Sequence, residues 1–220
     1  MSTLIEIEGE NYMLNELITR YPLLESIRDE IERAYNTIVE CYEHDGKVLI
    51  VGNGGSAADA EHIVGELMKG FVKNRTVSAE MQKALLELDP ERGEGLIKNL
   101  QGGLPAICLN AHTSLNTAFA NDKDPVMSYA QQVNGYGKPG DVFIGISTSG
   151  NAENVMYAAI TAKAKGLKVI ALTGKNGGKL AKVSDVAMIV PEQETYKIQE
   201  YHLPIYHVLC LMLEDYFYEQ

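Results

Sequence analysis

The chain has 220 residues, of which 45% are apolar and 22% charged, with a formal net charge of −11. That length and apolar fraction suit one α/β core with flanking helices, and no Pro/Gly/Ser tract long enough to be a linker divides it. So acidic a chain excludes nucleic acid and anionic membrane as general partners, and an anionic ligand must be held by local donors.

Three cysteines, Cys41, Cys108 and Cys210, sit in apolar or helical contexts and form no metal-type cluster. They fit a reducing, cytoplasmic setting and a structural role. The opening stretch MSTLIEIEGENYMLNE is acidic and lacks the basic-then-apolar order of a signal peptide. No apolar run approaches a membrane span.

Residues 11–45 read as helix, with Ile18, Leu23, Leu24, Ile27, Ile31, Ala34, Tyr35, Ile38 and Val39 at near-helical intervals. Pro22 divides this stretch or starts its second half. The apolar stripe is broad enough to suggest contact with another subunit. His44-Asp45-Gly46 closes the helix.

The next stretch, VLIVGNGGSAADAEHIVGE, orders the rest of the chain around itself. Val48 to Val51 read as a strand, Gly52-Asn53-Gly54-Gly55-Ser56 as a tight turn, and a helix follows at once. Glycines let the backbone approach a ligand, and the first turn of a helix offers unpaired N–H groups and a positive dipole end. His62 and Glu66, four apart, share one helix face. A phosphate site beside an imidazole–carboxylate pair is one reading. A plain tight connection with a solvated surface pair is the other. Gly52, Gly54 and Ala57 meet the dinucleotide spacing only in its looser form, with no clear acidic ribose partner, and no Gly-Lys-Ser/Thr completes a Walker loop. A simple phosphorylated molecule suits the turn better than a nucleotide.

Residues 73–104 form a charged insertion with a short helix over 78–88 ended by Pro90, followed by Gly93, Gly95, Gly102 and Gly103. An exposed insertion, a flap or an interface arm would each account for it. Beyond it strands and helices alternate. Strands are expected at 105–109, 141–146, 168–172 and Val186–Val190, with helices over 114–119, 126–133 and 153–165 and a closing helix over 198–218. Five short strands with helical crossovers predict a parallel sheet sandwiched between helices, with ligands outside the strands' carboxyl ends. A second turn at such an end, Ser147-Thr148-Ser149-Gly150-Asn151, offers three hydroxyls and a glycine before a helix. A hydroxyl cap accounts for one of the three.

GNGGSAADAEH, GISTSGNAENV, LTGKNGG and IQEYHLPIYH together resemble the sugar isomerase (SIS) domain family, and within it the phosphoheptose isomerase branch. The likeness covers roughly 10–75 and 105–218. It implies a single SIS domain over 1–220, with an N-terminal helical segment (1–45), a five-stranded core with its insertion (46–190) and a C-terminal helix (191–220). It implies a cytoplasmic ketose–aldose isomerase, most similar to one interconverting sedoheptulose 7-phosphate and D-glycero-D-manno-heptose 7-phosphate. By the same resemblance the partners are a small phosphorylated sugar and further copies in a homotetramer with interfacial sites. Asn53, Gly54 and Gly55 would contact substrate, and Ser56, Ser147, Thr148 and Ser149 would hold phosphate. Asn121 and Asp122 would touch sugar hydroxyls. His62, Glu66, Gln199 and His207 match zinc-binding positions, Gln199 also a substrate-binding one, with Glu66 and His207 the acid–base pair and no nucleotide cofactor implied.

Ala152 stands where the family usually has another serine, and Thr195-Tyr196-Lys197 where an acidic residue often precedes the last helix. These departures and the long insertion leave open an isomerase of another ketose phosphate, or a non-catalytic SIS protein such as a replication-initiator-associating one. The spacing of Gln199 and His207 adds a geometric question. Eight residues of regular helix span about 12 Å. Either Gln199 precedes the helix, Pro204 distorts it, or the two serve different sites across an interface. His202, His112 and His44 read as structural.

Overall fold

The computed structural model describes residues 8–218, so the first seven residues of the stretch MSTLIEIEGENYMLNE, read as lacking a signal peptide, lie outside the described residues. Five strands, β1 (Val48–Val51), β2 (Ala106–Cys108), β3 (Val142–Ser147), β4 (Lys168–Gly174) and β5 (Val186–Val190), form one parallel sheet in the order β2-β1-β3-β4-β5. Parallel strands covered on both faces read as unbroken apolar runs, and β1 is buried at every position.

Alternate residues face opposite ways along each strand. Val48, Ile50, Ile144, Ile170 and Met188 enter one core layer, packed by α1 (Glu8–Arg20), α2 (Arg28–Glu43), α3 (Gly55–Met68) and α10 (Thr195–Phe217). Leu49, Val51, Phe143, Val169 and Ala171 enter the other, packed by α7 (Ser128–Tyr136), α8 (Glu153–Ala164) and α9 (Gly178–Val183). Among the described residues no helix is long and apolar enough to cross a membrane.

The N-terminal helix divides at Pro22, through a short 3-10 segment over Pro22–Ile27. The insertion differs from the expectation. Pro90 ends α4 (Ala79–Leu88) but also occupies the first turn of a second helix, α5 (Pro90–Asn99), where its missing N–H costs nothing. Asp89 caps α5 by accepting from Arg92 N–H at 3.0 Å. Gly93, a helix breaker on propensity, packs against the Leu85 carbonyl at 2.7 Å from where a Cβ would stand. It lets the two helices close into a hairpin. The remaining helix is α6 (Thr113–Asp122).

Helix α10 is continuous over 23 residues with Pro204 inside it. Gln199 therefore lies within the regular helix and not before it.

Candidate active site

β1 and β3 are neighbours in the sheet, paired from Val48↔Val142 to Val51↔Gly145. Here the strand order reverses, the place where open parallel sheets take their ligands. The two glycine-containing turns, separated by about ninety residues of chain, are thereby side by side. Asn53 in the first turn and Asn154 in the first turn of α8 exchange a reciprocal amide pair, at 2.9 and 2.8 Å.

Each turn is shaped by close backbone approach. A Cβ on Gly52 would stand 2.7 Å from Ser56 Cβ. Gly52 N–H donates to Asn110 Oδ1 at 3.2 Å, while Asn110 Nδ2 donates back to the Gly52 carbonyl at 2.7 Å. Gly54 has φ +57°, a left-handed conformation that glycine adopts freely. Ser56 is buried at the start of α3. In the second turn Gly150 has φ +63°, and a Cβ there would overlap the Gly177 carbonyl. Gly177-Gly178, at the end of the LTGKNGG stretch, is in the fold the brace behind residues 147–151. Ser147 ends β3 in a buried position. Ser149 Oγ accepts from Asn151 N–H at 3.2 Å, which leaves its own hydroxyl proton for an anion. Ala152 takes the N-cap position of α8 without a capping side chain.

The ionisable groups gather elsewhere. His62 lies seven residues after Gly55, about 10 Å along α3, and Glu66 a further turn on. His62 Nε2 is 3.3 Å from Glu66 Oε1, and its Nδ1 is 3.0 Å from Tyr206 Oη. Lys69 holds the other Glu66 oxygen at 2.7 Å. The His207 ring packs edge-on against His62 with centroids 5.1 Å apart, and its Nε2 is buried with no hydrogen-bond partner among the described residues. Burial, with His62 beside it, lowers the His207 pKa; Glu66 pulls the other way. The ring is thus a neutral acceptor and donor near neutral pH. A cleft of about 330 Å³ between α1 and α10 opens onto His207, with Arg20, Tyr21 and Leu203 on its walls.

Gln199 stands apart from that cluster. Its amide fills the space beside Gly55, where no Cβ would fit, and it bonds the Asp59 carboxylate. Tyr206 Oη reaches the same carboxylate at 3.4 Å. Burial raises the Asp59 pKa against those two hydrogen bonds. Asn121 and Asp122 lie exposed at the far end of α6, paired with each other at 2.9 Å.

Zinc takes imidazole and carboxylate donors in compact tetrahedral sets. His62, Glu66 and His207 have the right chemistry, but Gln199 is two helical turns from His207. Among the described residues no three His, Cys, Asp or Glu side chains converge closely enough to hold a metal ion. The arrangement within one chain does not fit an ion bound by all four. The cysteines hold no chemistry either. All three are buried and unpaired, and burial pushes the thiols of Cys41 and Cys210 up to about 11 and 12.

Asn110, Asn154, Lys69, Tyr206 and Asp59 were not singled out from sequence. Lys69, three after Glu66 on the helix face, follows an i,i+3 rule that could have found it. The others depend on tertiary approach.

A family model described as SIS domain matches residues 18–101 and 83–174. The chain is 39% identical over 194 residues to a phosphoheptose isomerase of Helicobacter pylori, covering 88% of each. It is 37% identical over 190 residues to one of Sulfurimonas denitrificans, covering 86% of this chain and 84% of the relative. The solved phosphoheptose isomerase of Neisseria gonorrhoeae superposes with a TM-score of 0.71 at 33% identity, over 94% of this chain and 97% of that one. The paired glycine turns at the β1–β3 switch point and the agreement over nearly whole chains lead to one conclusion: the chain belongs to the SIS domain family.

Proposed function

We propose that the protein is a ketose–aldose isomerase of phosphosugars that interconverts sedoheptulose 7-phosphate and D-glycero-D-manno-heptose 7-phosphate. The observation that carries the reading is the meeting of Glu66, His62 and His207 on helices α3 and α10, α3 being the helix whose N-terminus forms half of the phosphate cradle. Relatives named phosphoheptose isomerase, matched over most of both chains, supply the substrate class.

Isomerisation moves a proton from C1 to C2 through an enediol. The Glu66 carboxylate takes a C1 proton, exchanges it with solvent during the life of the enediol, and delivers a proton to C2. His207 moves the oxygen-bound proton from O1 to O2, accepting on one side and donating on the other. The phosphate, seated on Ser56, Ser147, Thr148 and Ser149 with Gly54 and Gly55, provides remote binding energy that positions the reacting carbons. Asn53, Gln199, Asn121 and Asp122 are proposed contacts to the sugar.

The separation of cradle and cluster along α3, together with the exposed position of Asn121 and Asp122, supports a site completed between copies of the chain, in a homotetramer. Three reduced, buried cysteines support a cytoplasmic location. The test is turnover of purified protein on sedoheptulose 7-phosphate followed by NMR. An aldoheptose phosphate product sustains the reading; saturable binding without product returns the chain to the phosphosugar-binding class.

A further inference from the structure

Behind Glu66 lies a buried ion pair that the reaction as described does not use. Arg75 and Glu214 have side chains fully removed from solvent, with Arg75 Nε 2.8 Å from Glu214 Oε1. Two more guanidinium N–H groups go to the end of α3: Nη2 donates to the Glu66 carbonyl at 2.9 Å and Nη1 to the Leu67 carbonyl at 2.7 Å. The planar fork rests on the Tyr218 ring at 4.8 Å.

Glu214 is equally committed. Its carboxylate accepts from the N–H groups of Phe71, Val72 and Lys73 at 2.7, 2.9 and 3.1 Å, besides Arg75. The last four carbonyls of a helix have no partner within it, and a cation there also complements the dipole. Arg75 therefore terminates α3 at the turn that carries Glu66, and Glu214 fixes the segment that leads away from it. Phe71 in that segment packs on the His207 ring, with centroids 5.4 Å apart.

A buried ion pair is a poor source of stability, since desolvation cancels much of its attraction, and apolar replacements of similar volume are often neutral. Its bonds here fall on the carbonyl of the proposed base and on the chain beside the proposed acid. We propose that Arg75 and Glu214 are positioning residues for the isomerisation: a buried clamp that sets where the Glu66 carboxylate stands relative to His207, without touching substrate. Lysine cannot replace the arginine, because a single ammonium does not span two carbonyls and a carboxylate in one plane.

The inference rests on the proposed function, and its test separates the two. Wild type, Arg75→Lys and Glu214→Gln are compared as full-length proteins for kcat and KM on sedoheptulose 7-phosphate and for amide hydrogen exchange over 66–73. A misplaced base lowers kcat by about tenfold to a hundredfold, with KM within about twofold because the phosphate cradle is untouched. Exchange at Phe71, Val72 and Lys73 accelerates in the same variants. A folded Arg75→Lys protein with wild-type kcat overturns the clamp. If Arg75→Lys does not fold, Glu214→Gln and Tyr218→Leu, which loosen the clamp without removing its cation, carry the same comparison. If wild type itself is idle on the substrate, the proposed function fails and takes the positioning role with it, whatever the exchange over 66–73 shows.

Discussion

The two halves of the site are built from different materials. The cradle is made of backbone: turns 52–56 and 147–151 are shaped by glycines in contact with neighbouring main chain, and tied together by one amide pair. The proposed acid–base cluster is made of side chains projecting from two helices, held by Lys69, Tyr206 and the Arg75–Glu214 pair. Backbone turns tolerate almost no substitution in the glycines and much in the exposed side chains. In the cluster the backbone is ordinary helix, and each side chain carries its own chemical function.

The largest expected effect follows from the cluster. Glu66→Gln keeps size and shape while removing the base, so turnover falls by about two to four orders of magnitude. Phosphosugar binding, measured by calorimetry, stays near wild type because the cradle is intact. Gly150→Ala makes the opposite change. A methyl group at φ +63° that overlaps the Gly177 carbonyl displaces the second turn, so KM rises more than about tenfold and Tm drops by several degrees. A Gly150→Ala protein with unchanged KM would show that the backbone turn is not the phosphate grip.

A third prediction uses pH. His202, fully buried with Nε2 3.2 Å from the Thr173 carbonyl, has its pKa lowered by burial from 6.5 to about 4. The unfolded chain takes up a proton as pH falls through 6.5, whereas the folded chain does so only near 4. Stability is therefore complete above about pH 6.5 and declines down to about pH 4, by about 3 kcal/mol in all. Denaturant titrations at several pH values check this, and His202→Asn flattens the slope in that window. The smallest effect is expected of Asn154→Ala. It removes a half-exposed amide pair that contributes about 1 kcal/mol, raising KM a few-fold and leaving kcat alone.

Sequence reading recovered the parts that depend on local chemistry. Five strands, both turns and the shared face of His62 and Glu66 follow from apolar runs, glycine placement and helical spacing. Helix α5 escaped because Pro90, Gly93 and Gly95 are breakers by propensity, whereas here the proline starts the helix and Gly93 makes room for the packing of α4 on α5. Short helix α9 was hidden in the same way behind Gly177-Gly178. The supports of the site were invisible for another reason. Asn53–Asn154 and Arg75–Glu214 join residues 101 and 139 positions apart, and nothing in either segment alone records the other. The position of Gln199 was framed as a question by its spacing, and the continuity of α10 removes one of the three answers, that Gln199 precedes the helix.

The central claim is that Glu66 moves a carbon-bound proton in a phosphoketose. The most direct test runs sedoheptulose 7-phosphate in D2O with wild type and Glu66→Gln and follows the carbon-bound protons by NMR. The account predicts that wild type forms aldoheptose phosphate carrying solvent deuterium at C2, and that the variant binds the sugar but neither converts it nor exchanges its C1 protons. Product formation at an undiminished rate by Glu66→Gln would contradict it.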